Sequence, residues 1–464
     1  MKLLTGLGGL LLFTIIWLVL DFRLGRKKHL SSVVKTESPI HHGDFDIFTH
    51  GKELFADYFN ELRAAKHRIY VLFYIVKDDE FGQEFLSILM DKAREGIEVR
   101  LLLDRLGSWK MKNSRVKMLR EAGVAVGLSD PIRFPFLFYT SQVRNHRKIS
   151  IIDGKIAYLG GFNIGKEYVD GDPKLSPWRD YHLKITGESV NYLQSEFLLD
   201  WKRNNKRGLE ANLFLKKANV PNREFPLKGA ANVELGAELN AGTESVEFGG
   251  ELITGTESVE FGGELNTGIE TAPSSASPGL PKLSHEAVRH QFIPTEAHQL
   301  EGLFLNLIQL AENTITIGTP YFIPSTRILE ELLKAVQRGI CVTVIVPTVA
   351  DHPLVKEASF RYLRPLIREG GLVYQYQKGF YHAKTIVIDD KLCDIGTANF
   401  DKRSLYLNKE INCYVYDPEF IASLKEILTK DIHDSKPLTL AALDAPSLNR
   451  SVKEAVARTI SYFL

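Results

Sequence analysis

Histidine and lysine two residues apart, with aspartate five residues beyond the lysine, occur twice in this chain: His146, Lys148 and Asp153, then His382, Lys384 and Asp389. Each set is followed by a short turn ending in asparagine, Gly160-Gly161-Phe162-Asn163 and Gly396-Thr397-Ala398-Asn399. One such spacing is a weak signal in a long chain, but two with matching flanks are a strong one. A neutral imidazole can attack phosphorus and form a phosphohistidine. A protonated imidazole can donate to a departing alkoxide. Two lysines, with Asn163 and Asn399, can stabilise the charge on non-bridging oxygens. These parts suit exchange at an anionic phosphodiester, in one active site built from two related halves. No carboxylate cluster demands a metal, and no cofactor is expected.

Side chains alternate along a strand, so His146, Lys148 and Ser150 are expected on one face of a strand running to Asp153. His382, Lys384 and Ile386 are expected to do the same before Asp389. Each imidazole should also have an orienting carboxylate. Asp180 in Trp178-Arg179-Asp180 and Glu410 in Asn408-Lys409-Glu410 are the candidates, grouped with the substrate-binding residues. Asp153 and Asp389 count with the catalytic signature. They are nevertheless expected to bind backbone or a basic neighbour, because a carboxylate placed on a phosphate would repel it.

The elements that must carry these residues alternate. A strand pattern over 67–74 precedes a helix with Phe85, Leu86, Leu89 and Ala93 on one face, stopped by Gly96, and then a strand over 97–103. A helix ending near Met118–Ala122 and stopped by Gly123 leads into a strand at 124–126. The same order recurs as a strand over 314–319, a helix marked by Leu329, Leu332, Leu333 and Val336, a stop at Gly339 and a strand over 340–346. Residues 362–373 repeat the helix-to-strand step before the second motif. Alternating elements of this kind predict an α/β fold with helix-covered sheets, and the duplication predicts two such halves facing each other.

The chain has 464 residues, 25% of them charged, with a formal net charge of +1. That is room for two ordinary domains, and it lacks the basic excess of a dedicated nucleic-acid binder. Cys341, Cys393 and Cys413 lie in apolar runs without metal-site spacing and are expected to be buried core residues. Leu3 to Leu20 is apolar and uncharged, followed by Asp21, Arg23, Arg26, Lys27 and Lys28. Eighteen residues of helix reach ~27 Å, about one bilayer core. Basic residues after the run favour an uncleaved anchor over a signal peptide, and place the body in the cytoplasm.

The expected organisation is an anchor over 1–29, a polar tether over 30–45, a first half over 45–220, a linker over 221–285 and a second half over 286–464. The linker contains near-repeats such as FGGELIT and FGGELNT within an acidic stretch over 234–268, read as a flexible insert.

With these residues in place the chain resembles the phospholipase D superfamily, and most of all its bacterial cardiolipin synthases. The resemblance is carried by RNHRKISIIDGKIAYLGGFNIGKEY and WRDYHLKITG around the first motif. Around the second it is carried by TPYFIPS, DHPLV, YQYQKGFYHAKTIVIDD and GTANFDKRSLYLNKEIN. It covers roughly residues 45–220 and 285–464.

It implies two phospholipase D-like halves of mixed sheet flanked by helices, with one pseudo-twofold site and an N-terminal transmembrane helix. It also implies phosphatidyl transfer between two phosphatidylglycerol molecules at a bacterial cell membrane, giving cardiolipin and glycerol through a phosphohistidine. The alternative is a phospholipase D-type hydrolase, or a transphosphatidylase with another donor or acceptor. By analogy His146 is the nucleophile and His382 the acid/base, although the near-symmetric halves do not separate these roles. Lys148, Lys384, Asn163 and Asn399 carry over as phosphate ligands, and Ser404 beside Arg403 is expected to assist.

The chain departs from the family pattern in having one clear membrane segment where most members carry two, in the acidic insert, and in Thr397 where serine is common. The aromatic run Phe134–Tyr139 is expected to be a core strand, to line an acyl path or to dip into the membrane interface. Val452, Val456, Ile460 and Leu464 form an i, i+4 stripe suited to a docked or interfacial helix.

Overall fold

A computed structural model describes residues 2–33, 38–204, 283–445 and 448–463, all within one unit of the chain. The acidic repeat, Leu464 and nearly all of the expected linker lie outside the described residues.

Helix α1 (Lys2–Leu30) comes first. The first half then runs β1 (His41–His50), α2 (Gly51–Ala64), β2 (Arg68–Phe73), α3 (Glu80–Arg94), β3 (Glu98–Asp104), α4 (Asn113–Glu121) and β4 (Ala125–Ser129). It continues with α5 (Leu137–Gln142), β5 (Ile149–Ile152), β6 (Ile156–Gly160), β7 (Trp178–Thr186) and α6 (Val190–Asn204). The second half runs β8 (Leu283–Thr295), α7 (Gln299–Leu310), β9 (Thr314–Gly318), α8 (Thr326–Gln337), β10 (Cys341–Pro347), α9 (Val355–Arg368) and β11 (Leu372–Tyr376). It ends with β12 (Phe380–Tyr381), β13 (Thr385–Ile388), β14 (Leu392–Gly396), α10 (Lys402–Tyr406), β15 (Glu410–Val415), α11 (Pro418–His433), β16 (Ser435–Pro437), α12 (Leu440–Asp444) and α13 (Leu448–Ile460).

Among the described residues the strands join in one mixed sheet, ordered β16-β11-β10-β9-β13-β14-β15-β8-β1-β7-β6-β5-β2-β3-β4, with β12 pairing on β7. The order reads outward from the antiparallel β1–β8 pair in the same way on both sides, so the duplication is built into one sheet around a pseudo-twofold. In each half three outer strands are parallel (β2-β3-β4 and β9-β10-β11) and the motif hairpins are antiparallel.

The stops act as their chemistry requires. Gly96, Gly123 and Gly339 take φ of +88°, +97° and +86°, the left-handed region where glycine ends a helix without steric cost. At the other end of α3, the Asp79 side chain accepts from Gly82 N–H at 2.9 Å and caps the helix.

Strand β2 is buried on both faces. Ile69 and Val71 pack under α2 and α3, while Tyr70 and Leu72 face a core that runs on into the second half through Val387, Ile395 and Ile411. That shared core, covered by α6 and α11, holds the halves in one orientation. Each fully buried side chain of this kind contributes about 1.5–3 kcal/mol.

Several sequence expectations need correction. The polar segment over 30–45 is not all tether, since β1 starts at His41 and becomes a central strand. The strand expected from His146 begins only at Ile149. His146 and Lys148 lie in the extended segment before it, as His382 and Lys384 lie before β13. Cys341 opens β10 and is exposed, while Cys393 and Cys413 are buried in the shared core.

Phe134–Tyr139 is no strand: it is a loop that runs into the first turn of α5. Its aromatics pack on the polar end of α1: Phe22 lies 6.1 Å from Phe138 and 5.3 Å from Tyr139, centroid to centroid. Asp21 accepts from Tyr139 N–H at 2.7 Å, and a Cβ on Gly25 would lie 2.7 Å from Tyr139 Cβ. Only glycine permits that approach. The C-terminal helix α13 docks through buried Ala457 and a fork from Arg364 to Glu454 (2.7 and 2.9 Å), leaving Val452 and Val456 exposed.

Candidate active site

The two motif segments meet where each half reaches across to the other. His146 N–H donates to Lys409 C=O at 2.9 Å, and Lys409 N–H donates to Arg144 C=O at 2.8 Å. In the mirror position β12 pairs parallel with β7, Phe380 opposite Trp178, and His382 N–H donates to Arg179 C=O at 2.7 Å. This backbone exchange sets each histidine beside the next carboxylate of the opposite half.

His146 directs Nδ1 to Glu410, 2.9 and 3.1 Å from its two oxygens, and His382 directs Nδ1 to Asp180 at 2.5 Å. The acids named in the sequence thus serve the imidazoles, and each serves the histidine of the other half. Lys384 Nζ also lies 2.7 Å from His382 Nδ1; with Nδ1 of each ring engaged, Nε2 is the nitrogen left to face a substrate.

Both carboxylates are fully buried. Glu410 is held by Thr397 Oγ1 (2.7 Å), Ser404 Oγ (2.9 Å) and Asn408 Nδ2 (3.1 Å). Asp180 accepts its own neighbour's N–H, from Tyr181 at 2.8 Å, and lies 3.5 Å from Lys384 Nζ. Burial pushes both acids up, but the basic groups beside them outweigh it by charge and by hydrogen bonding: Lys384 and His382 around Asp180, His146 and Lys148 around Glu410. Both are held below the usual carboxylate range.

The bases shift down as well, which for them favours the neutral form. Burial lowers His146 against the pull of Glu410, and burial with nearby Lys384 brings His382 down to about 4. Burial also brings Lys148 down to about 7. Lys148 Nζ donates to His146 C=O at 2.7 Å, and Lys384 Nζ donates to His382 C=O. Each lysine is therefore tied to its own histidine's backbone, with its charge beside the ring. Aromatic rings wall the imidazoles: Tyr74 at 5.0 Å from His146, and Trp178 and Phe380 at 4.9 and 5.5 Å from His382.

Several expected site residues lie elsewhere or do something else. Asp153 and Asp389, counted with the catalytic residues, are outside this cluster at the far ends of β5 and β13. Asp153 accepts from the N–H groups of Lys66, His67 and Arg68 at 2.9, 2.7 and 2.9 Å. Asp389 accepts from Glu312, Asn313 and Thr314 at 3.0, 2.8 and 2.7 Å. They pin the motif hairpin to the start of the neighbouring strand, matching the expectation of backbone partners.

Asn163, expected on the phosphate, has both ends of its amide engaged, Oδ1 by Ile75 N–H at 3.1 Å and Nδ2 by Tyr168 OH at 3.2 Å. Among the described residues the buried Oδ1 of Asn399 has no partner. Ser404, also expected on the phosphate, is spent on Glu410 and on Asn399 N–H.

Sequence reading missed Tyr74, Trp178 and Phe380, although Trp178 stands two residues before Asp180. Among the described residues no cluster of His, Cys, Asp and Glu is arranged to hold a metal.

Similarity to known proteins agrees with this geometry. The family described as cardiolipin synthase, PLD-like domain, matches residues 58–201 and 304–432, one span in each half. The minor cardiolipin synthase ClsB of Bacillus subtilis is 34% identical over 96% of this chain and 96% of its own length. The major cardiolipin synthase ClsA of the same organism is 32% identical over 90% of this chain and 75% of its own. Among solved structures, a phosphatidylserine synthase of Haemophilus influenzae superposes with a TM-score of 0.62 at 16% identity, covering 95% of this chain and 99% of that one. Doubled motifs, one duplicated sheet and these relatives together place the chain in the phospholipase D-like cardiolipin synthase family.

Proposed function

We propose that this protein is a cardiolipin synthase that transfers a phosphatidyl group from one phosphatidylglycerol to another. The observation that carries the reading is the pair of buried imidazoles, each with Nδ1 on a carboxylate and Nε2 free, beside two buried lysines. His146 Nε2 attacks phosphorus, and the bond to the glycerol oxygen breaks as His382 gives that oxygen a proton. The terminal hydroxyl of a second phosphatidylglycerol then loses its proton to His382. Its oxygen attacks phosphorus and the N–P bond breaks, leaving cardiolipin and glycerol.

The electrostatics support a proton that arrives with the substrate. With both acids ionised and both lysines charged, the buried charges cancel and both imidazoles rest neutral. A phosphodiester anion upsets that balance and favours one imidazolium, which is the acid the first step needs. Helix α1 supports attachment to the membrane that holds the lipid. Basic residues after its apolar run favour a cytoplasmic body.

The deciding measurement is the product. Purified protein in phosphatidylglycerol vesicles is expected to form cardiolipin and glycerol in equal amounts. Phosphatidic acid as the main product would reject synthesis in favour of hydrolysis.

Lys148 makes substrate binding depend on pH. Its folded value is lowered to about 7, so its charge is complete below that pH and is lost above it. The KM for phosphatidylglycerol is therefore expected to rise about tenfold between pH 6.5 and 8.5. A KM flat across that interval would show that Lys148 stays charged and that this account of its burial is wrong.

A further inference from the structure

Between the polar end of α1 and the loop leading into α5 lies an open groove of about 1240 Å³. We propose that it holds one anionic phospholipid, still in the bilayer, on its way to His146; this rests on the membrane lipid chemistry proposed above.

One wall belongs to the membrane helix. The exposed apolar side chains of α1 run to Leu20 and Leu24, and Gly25, Lys28, His29 and Ser32 line the groove. At ~1.5 Å per residue, Lys28 lies ~6 Å past Leu24, at headgroup depth. The facing wall is the segment over 131–140, a loop and the start of α5. Its Phe134 is 87% exposed, Ile132 beside it is exposed too, and neither covers any core. Phe136 lies under Lys28, whose Nζ is 5.8 Å from the ring centroid.

The groove is positive where a headgroup would sit. Its acids are already matched: Asp130 by Lys409 at 2.7 Å and Glu296 by Arg203 at 3.4 Å. Lys28 and Arg133 are exposed and make no ion pair with a described residue. Apolar surface continuous with a membrane helix, rimmed by two unmatched cations, fits a diacyl anionic lipid rather than a soluble anion.

The inner end is the active site's own backbone. Val143 lines the groove three residues before His146, and Lys409, which also lines it, supplies the carbonyl that accepts His146 N–H. We place the lipid phosphate at this end, next to the backbone segment that carries His146.

The test uses full-length protein in mixed micelles with phosphatidylglycerol at varied surface fraction, and a phosphatidylglycerol carrying a photoactivatable acyl chain. Lys28→Glu with Arg133→Glu is expected to raise the apparent KM at least about tenfold and to keep kcat within about twofold. The photoprobe is expected to label residues 131–140 of the wild-type protein. An unchanged KM, a variant inactive even at saturating lipid, or labelling confined to other segments would overturn the groove. Wild-type protein that is labelled there but makes no cardiolipin would instead reject the synthase reading and leave the groove standing.

Discussion

Alanine at His146 is expected to abolish phosphatidyl transfer, while alanine at His382 spares the first half-reaction for a donor whose leaving group needs no proton. Without the His146 ring no N–P bond can form, and the expected loss is at least about 10⁴-fold on any donor. Without His382 the glycerol oxygen must leave as an unprotonated alkoxide, and loss of a general acid costs about 10²–10⁴-fold. A phosphatidyl ester of p-nitrophenol removes that requirement. Rapid mixing of the His382→Ala protein with this donor should give a burst of nitrophenolate equal to the enzyme present, and then slow turnover. His146→Ala should give no burst. The opposite pattern would assign attack to His382, and so the experiment settles the one role that the near-symmetric halves leave open.

The crossed carboxylates give the second large effect. Glu410→Gln leaves a side chain of nearly the same size but removes the charge that faces His146 Nδ1. Ring orientation and tautomer are then no longer enforced, and the expected loss is about 10²–10⁴-fold in kcat. Asp180→Asn should cost a similar factor through His382. The two substitutions should differ on the nitrophenyl donor. The change in the second half, at Glu410, impairs the burst made by the first-half histidine, whereas Asp180→Asn spares the burst and slows steady turnover. A burst lost on Asp180→Asn but kept on Glu410→Gln would show that each acid serves the histidine of its own half. Thr397→Val removes one of three donors to Glu410 and is expected to act in the same direction with a smaller loss.

Much of the fold is legible from residue spacing. The strand and helix order can be read because Gly96, Gly123 and Gly339 punctuate it, and each adopts the backbone that only glycine takes freely. The identity of the four basic site residues comes from the doubled motif. What spacing does not carry is partnership across the chain. Glu410 lies 264 residues from His146, and no local pattern says which of two similar acids meets which ring.

The motif aspartates are harder to place, because a pattern records that a residue accompanies the histidine but not whether it touches substrate. Asp153-Gly154 is itself a hairpin-turn signal and points to a structural part. The segment over 41–45 reads as a tether because its His and Asp residues are polar. In the sheet it is the start of β1, which pairs on both edges, with β7 and β8, and turns Phe45 and Ile47 inward. Ser404 has the side chain of a phosphate ligand; its hydroxyl is spent on the carboxylate behind the ring.

The crossing of the two acid–imidazole pairs has a consequence for how such a protein can change. In a dimer of identical subunits, any substitution would strike both pairs at once, and a gain for the attacking ring would be imposed on the proton carrier too. On a single chain the pairs are free to diverge. They have done so: a glutamate on three side-chain donors faces one ring, and a shorter aspartate beside a lysine faces the other. Selection can therefore adjust attack and proton transfer separately, while the shared core keeps the pocket they form between them closed to independent drift.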